Sequence, residues 1–88
     1  MGSYKLVVKP SVEKDLRPLP KPARMRLLAQ IDELMTNPFP NGSLKLAGAE
    51  QLYRVRVGVY RVIYAVEVDT KTVTVHYIRH RREAYRGL

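Results

Sequence analysis

Cysteine is missing from all 88 residues of the chain. Its absence removes disulfides, thiolate metal ligands and cysteine nucleophiles, and it suits a reducing compartment. Acidic residues are scarce, 8 against 16 lysines and arginines, which leaves a formal net charge of +8. With so few carboxylates, and with His76 and His80 not at ligand spacing to other donors, neither a metal nor another cofactor is expected. No apolar run is long enough to span a bilayer, and the first residues lack the charged start and apolar middle of a signal peptide. The expectation is a soluble cytoplasmic protein with no membrane partner. Glycines number only 5 and form no phosphate-binding loop, while Ser11 and Ser43 sit outside any nucleophile-elbow pattern. Without repeats, low-complexity tracts or linkers, residues 1–88 read as one small domain, and Met1-Gly2-Ser3 are set aside as an expression remnant.

What the chain holds in excess is arginine. Ten of the 16 cations are arginine, whose planar fork of donors matches phosphate oxygens. The excess is uneven: residues 1–50 carry eight basic and five acidic side chains, whereas residues 51–88 carry eight and three. Nucleic acid is the partner class that such a balance favours, through the C-terminal half above all.

The pattern of elements predicts an α+β fold. Tyr4 to Val8 reads as a strand halted by Pro10, and Ser11 as the N-cap of a brief helix that Pro18 and Pro20 stop. Lys21-Pro22 opens a second helix with proline in its tolerated first turn, and Leu27, Leu28, Ile31, Leu34 and Met35 trace its apolar stripe. Arg24, Arg26, Gln30, Asp32 and Glu33 fall mostly on the wet side. Residues 36–43 are dense in turn formers and read as a loop. After a short 44–48 segment come strands over 52–57, 59–68 and 72–79, joined at Gly58 and at Asp69-Thr70-Lys71 by turns short enough to force antiparallel hairpins. The expected order is β-α-α-β-β-β, one twisted, mainly antiparallel sheet with both helices packed on one face.

In a two-residue period, Arg54 and Arg56 share one face of their strand while Tyr53, Val55 and Val57 share the other. A strand arginine can simply keep a face soluble or protect an edge. Arg54, Arg56 and Arg61 on adjacent strands, with Arg81 just past the last one, border a single surface and point instead to an anion site. The chain then closes on His80-Arg81-Arg82-Glu83-Ala84-Tyr85-Arg86. Histidine titrates near pH 6.5, so His80 can carry a proton at cellular pH, whereas Tyr85 needs nearby cations to lower its ordinary value of about 10. Each also has a plainer reading, His80 as a strand-end histidine without a task and Tyr85 as an aromatic cover over the sheet end. His76 reads as structural or exposed. Tyr53, Tyr60, Tyr64 and Tyr77 read mostly as core or half-core, with Tyr60 and Tyr77 open between packing and base stacking.

The segments Leu44-Lys45-Leu46-Ala47-Gly48, Tyr53-Arg54-Val55-Arg56-Val57-Gly58, Tyr60-Arg61-Val62-Ile63-Tyr64 and His80-Arg81-Arg82-Glu83-Ala84-Tyr85 together resemble the RelE/ParE superfamily of toxin–antitoxin toxins, along nearly the whole chain. The resemblance implies a toxin that cleaves mRNA in the ribosomal A site without a metal, by driving the 2′-hydroxyl onto the adjacent phosphate, and that a RelB-type antitoxin restrains. Arg54 and Arg56 would bind phosphate and help activate the nucleophile. Arg61 and Arg81 would stabilise the phosphorane, and Tyr85 would act in proton transfer or base stacking. Lys45, Arg79, Arg82 and Arg86 are read as further RNA-binding cations. Lysine often stands at positions 54 and 56 in this pattern. Because arginine keeps its proton, the general base would have to be Tyr85 or His80.

The sister branch, the ParE-like inhibitors of DNA gyrase, shares a strand much like Tyr60-Arg61-Val62-Ile63-Tyr64, so that strand marks the superfamily and not the activity. The set Arg54, Arg56, Arg81 and Tyr85 favours the nuclease. A plain RNA-binding module without catalysis is the third reading.

Overall fold

The computed structural model describes residues 3–48 and 51–80. Seven elements follow one another: β1 (Lys5–Val8), α1 (Pro10–Leu16), α2 (Lys21–Glu33), β2 (Leu44–Lys45), β3 (Leu52–Val57), β4 (Tyr60–Glu67) and β5 (Thr72–His80). The α+β expectation holds. The strands form one sheet in the order β1-β5-β4-β3-β2, antiparallel at every pairing except the parallel β1–β5 pair. The expected 44–48 segment contributes β2, a two-residue edge strand.

The apolar face of the sheet collects Val55, Val62, Tyr64, Val66, Val73, Val75 and Ile78 against Val12 of α1 and Leu27, Ile31 and Leu34 along α2. Both helices therefore cover the same face, leaving the other to the alternate residues of each strand. α2 rests on the i, i+4, i+7 line of Leu27, Ile31 and Leu34, a narrower stripe than its apolar residues suggest, since Leu28 is 48% exposed. α2 also ends at Glu33, with Leu34 and Met35 in the turn that follows.

Ser11 is not a helix cap. Lys9 holds that position in an extended conformation, and Pro10 occupies the first turn, where its missing N–H has no helical partner to lose. The Ser11 hydroxyl instead donates to the backbone carbonyl of His76. This contact belongs to a larger arrangement. β1 covers the outer edge of β5 only from Thr72 to Val75, and beyond it α1 takes over: the Lys9 N–H donates to the Val75 carbonyl at 3.0 Å, and the Ile78 N–H donates to Asp15 Oδ2 at 2.9 Å. An edge that would otherwise present free backbone groups is thereby closed.

The turn of the β3–β4 hairpin is one residue longer than expected, since β4 starts at Tyr60 and not at Val59. Val57 pairs with Tyr60, leaving Gly58 and Val59 as a two-residue turn. Gly58 has φ +62°, the positive value that a type II′ turn requires at its first central position. β4 likewise ends at Glu67, and Lys71 at φ +50° closes the next turn.

Candidate nucleic-acid interface

Strand register builds the candidate site. Arg56 lies directly opposite Arg61 across β3–β4, and Arg61 lies opposite Arg79 across β4–β5. Three arginines thus form a row over three adjacent strands on the helix-free face. The next row on that face is Leu44, Arg54, Ile63 and Tyr77. Directly opposed side chains stand about 5 Å apart at their Cβ atoms, so the rows bring Arg54, Arg56 and Arg61 together as the strand pattern suggests.

Their environments differ. Arg56 is exposed and Arg54 half-buried, and both line a groove of about 320 Å³ with Asn41, Gly42 and Leu44. Arg61 is only 3% exposed, because β4 is the central strand and its side chains have neighbours on both flanks. Chemically, the groove offers two accessible guanidinium groups with a third positive charge set beneath the surface. Charges of one sign directly opposite each other on a sheet are unfavourable, and an anion bridging them relieves the repulsion.

Arg79 shares the face but is engaged otherwise. Its Nη1 lies 3.3 Å from Asp15 Oδ2 and donates to the Ile78 carbonyl at 3.0 Å. Its guanidinium carbon stands 4.3 Å from the centroid of the Tyr77 ring. Lys45 is not brought to the arginines: it pairs with Tyr53 on the opposite face and lines another groove with Glu67 and Asp69. His80 is also on the helix side. It pairs with Tyr60, their rings edge-on at 5.6 Å, and lines a groove of about 290 Å³ with Lys14, Asp15, Pro18 and Leu19. Arg81, Arg82, Tyr85 and Arg86 lie outside the described residues.

His76 is half-buried where the β4–β5 register shifts, and burial, with Lys9 nearby, pushes its pKa below the ordinary value. Among the tyrosines, Tyr53 stacks on Tyr64 and meets Phe39 edge-on on the helix side. Tyr60 joins that side too, and Tyr77 alone of the four faces the arginines. Among the described residues, no group of three or more histidines and acids is placed to hold a metal ion, and no helix is long and apolar enough to cross a membrane.

Two contributors escaped the sequence pattern. Asp15 sits one helical turn after Ser11, and that i, i+4 spacing is the only trace of their shared aim at the edge of β5. Arg26, read as part of a wet helix face, places Nη2 at 3.6 Å from where a Cβ on Gly58 would stand, which sets a further cation beside the β3–β4 hairpin.

Comparisons with known proteins fit this geometry. Residues 6–85 match the family model described as the ParE toxin of the type II toxin–antitoxin system parDE. A Methanocaldococcus jannaschii protein named "Putative toxin RelE1" is 35% identical over 79 residues, 86% of this chain and 88% of the relative. The RelE–RelB complex of Pyrococcus horikoshii OT3 contains a chain that superposes with a TM-score of 0.80 at 34% identity, over 90% of this chain and 96% of that one. A chain of the RelB–RelE antitoxin–toxin complex of Methanococcus jannaschii superposes with a TM-score of 0.76 at 27% identity, over 93% and 98% of the two chains.

Proposed function

The chain belongs to the RelE/ParE family of type II toxin–antitoxin toxins as a RelE-like toxin, and from that membership we propose that it is a ribosome-dependent endoribonuclease that cuts mRNA in the A site. The observation that carries this reading is the opposition of Arg56 to Arg61 on the helix-free face, with Arg54 in the adjoining row and a groove open beside Arg54 and Arg56. A surface serving only protein contact has no need to hold like charges opposite one another at the centre of a sheet.

In the proposed reaction the ribose 2′-oxygen gives up its proton and bonds to the adjacent phosphorus. The bond to the 5′-oxygen of the next nucleotide breaks, and that oxygen takes a proton. The products are a 2′,3′-cyclic phosphate and a 5′-hydroxyl. Arg54 and Arg56 touch the phosphate, while Arg61 acts from below as a fixed charge on the developing phosphorane, joined by Arg81. None of these arginines serves as the base. Proton transfer falls to Tyr85 or His80, and the position of His80 on the opposite face supports Tyr85. No metal takes part in this scheme.

The two solved archaeal relatives named above come from complexes with RelB antitoxins, and a RelB-type antitoxin is the proposed restraint on this toxin in the cytoplasm. The test is to add the purified chain to translating ribosomes and map the mRNA ends. Cleavage within the A-site codon, leaving 2′,3′-cyclic phosphate and lost in Arg81→Ala, supports the proposal. Uncut mRNA, together with equal toxicity of Arg81→Ala and wild type in cells, overturns it. A second reading, inhibition of DNA gyrase, is favoured by the ParE description of the matching family model, and it predicts accumulated DNA cleavage complexes. RNA binding without cyclic phosphate ends would leave the RNA-binding module as the reading.

A further inference from the structure

We infer that Tyr77 and Arg79, with Asp15 holding the guanidinium in place, form a platform on which one nucleobase of the bound RNA stacks; the inference rests on the ribonuclease reading and adds a base contact to it. Both residues project from the helix-free face of β5, the face that carries Arg54, Arg56 and Arg61. What separates Arg79 from those arginines is its partners. Its Nη1 is shared between Asp15 Oδ2 at 3.3 Å and the Ile78 carbonyl at 3.0 Å. Its positive charge is therefore already paired within the fold, which lowers its value as a phosphate ligand.

The same contacts raise its value as a planar surface. The guanidinium lies over the Tyr77 ring, 4.3 Å from carbon to centroid, so the aromatic ring supports the group on that side. Asp15, itself anchored by the Ile78 N–H at 2.9 Å, fixes the rotation of the group at one edge. The side chain remains 39% exposed. A guanidinium plane of this kind takes an unstacked base as readily as an aromatic ring does, and single-stranded RNA is recognised by such stacking. The fork is ordered before the ligand arrives, so little further rotamer freedom is lost on binding.

Position agrees with chemistry. Arg56 and Arg79 flank the central strand, so their backbones stand about 10 Å apart at the usual strand spacing. That is on the scale of one to two nucleotides of extended chain. A phosphate held at Arg54 and Arg56 then sets a neighbouring base over the Arg79 plane. If Arg79 were only a clasp tying α1 to β5, its replacement would weaken the fold without preference for any one base.

The experiment is a cycle between base removal and side-chain replacement on programmed ribosomes. Synthetic mRNAs carry a single abasic ribonucleotide at each position in and around the A-site codon, keeping every phosphate and 2′-hydroxyl. The half-saturating concentration of the toxin in single-turnover cleavage is read for wild type and for Arg79→Lys, which keeps the charge and the reach to Asp15 but loses the plane. The expected result is a loss of roughly tenfold at one position for wild type, the scale of one stacked base, and no loss there for Arg79→Lys. Tyr77→Leu, which withdraws the supporting ring, is read in the same cycle and serves if Arg79→Lys does not fold. Equal sensitivity of wild type and variants at every position overturns the platform while leaving the ribonuclease reading intact. Failure of the wild type to cut any of the mRNAs, intact ones included, overturns both.

Discussion

The phenol of Tyr64, at the centre of β4, donates a 2.8 Å hydrogen bond to the carbonyl of Pro38 in the loop between α2 and β2. Both residues are buried. The bond therefore pins that loop to the sheet, and the segment entering β2 and the arginine groove is held from below. Tyr64→Phe keeps the ring and strands the Pro38 carbonyl, at a cost of about 1–2 kcal/mol in unfolding free energy. Urea unfolding of the two proteins checks the value, and A-site cleavage by the folded variant should change little.

The same phenol makes the fold sensitive to alkali. Burial raises its pKa to about 12, opposed by a hydrogen bond with Ser43 and assisted by Tyr53. The folded state thus holds a proton that the unfolded chain releases near pH 10. The stability linked to that proton is fully present below pH 10 and is lost as the pH rises to 12, on the order of 2–3 kcal/mol. Lysines titrate in the same window, so the measurement is a comparison: between pH 9 and 11.5 wild type should lose more stability than Tyr64→Phe. Equal losses would contradict the assignment.

Much of the sheet was legible because its signals are local. Alternation along Tyr53–Val57, Gly58 at the hairpin and the periodic residues of α2 each depend on near neighbours in sequence. The pairing of β1 with β5 left no such mark, since parallel partners are joined through the whole intervening chain. Ser11 had the chemistry of a cap, but Pro10 took the first turn and a strand edge distant in sequence took the hydroxyl. At the site, period-two reasoning put Arg54 and Arg56 on one face and the register aligned Arg61 with them. The position of Lys45 on the opposite face depends on how two-residue β2 pairs with β3, which composition does not encode.

Arg56 faces Arg61 across the hairpin, so function and stability should part company there. Arg56→Ala removes an exposed charge that packs into no core, and the thermal midpoint should move by no more than the equivalent of about 0.5 kcal/mol. Cleavage should fall about 10²- to 10³-fold, as for loss of one group that stabilises transition-state charge. A drop in both quantities would mean that Arg56 supports the fold and not the phosphate.

Gly58 carries the turn between the strands that bear Arg56 and Arg61. At φ +62° a side chain is strained, although a Cβ would meet only the flexible end of Arg26 at 3.6 Å. The cost of Gly58→Ala is therefore backbone strain and not a clash, about 1–2 kcal/mol. Gly58→Asn should cost less, since asparagine tolerates positive φ better. Chemical denaturation of the pair tests the ordering, and an alanine variant as stable as wild type would show that the turn relaxes to another type.

Of the two proton carriers suggested by the sequence, His80 is separated from the arginine row by the sheet itself. His80 pairs with Tyr60 on the helix side, edge-on to its ring, while the arginine row lies on the other face. General acid–base catalysis requires a group within hydrogen-bond reach of the transferred proton. His80→Gln should accordingly leave the cleavage rate and its pH profile unchanged on ribosomes. Tyr85→Phe should lower the rate by at least about 10²-fold and remove the limb of the profile that rises with pH. If His80→Gln reshapes the profile while Tyr85→Phe does not, the proton passes from the helix side of the sheet, and the end of β5 must turn His80 toward the scissile phosphate when RNA binds.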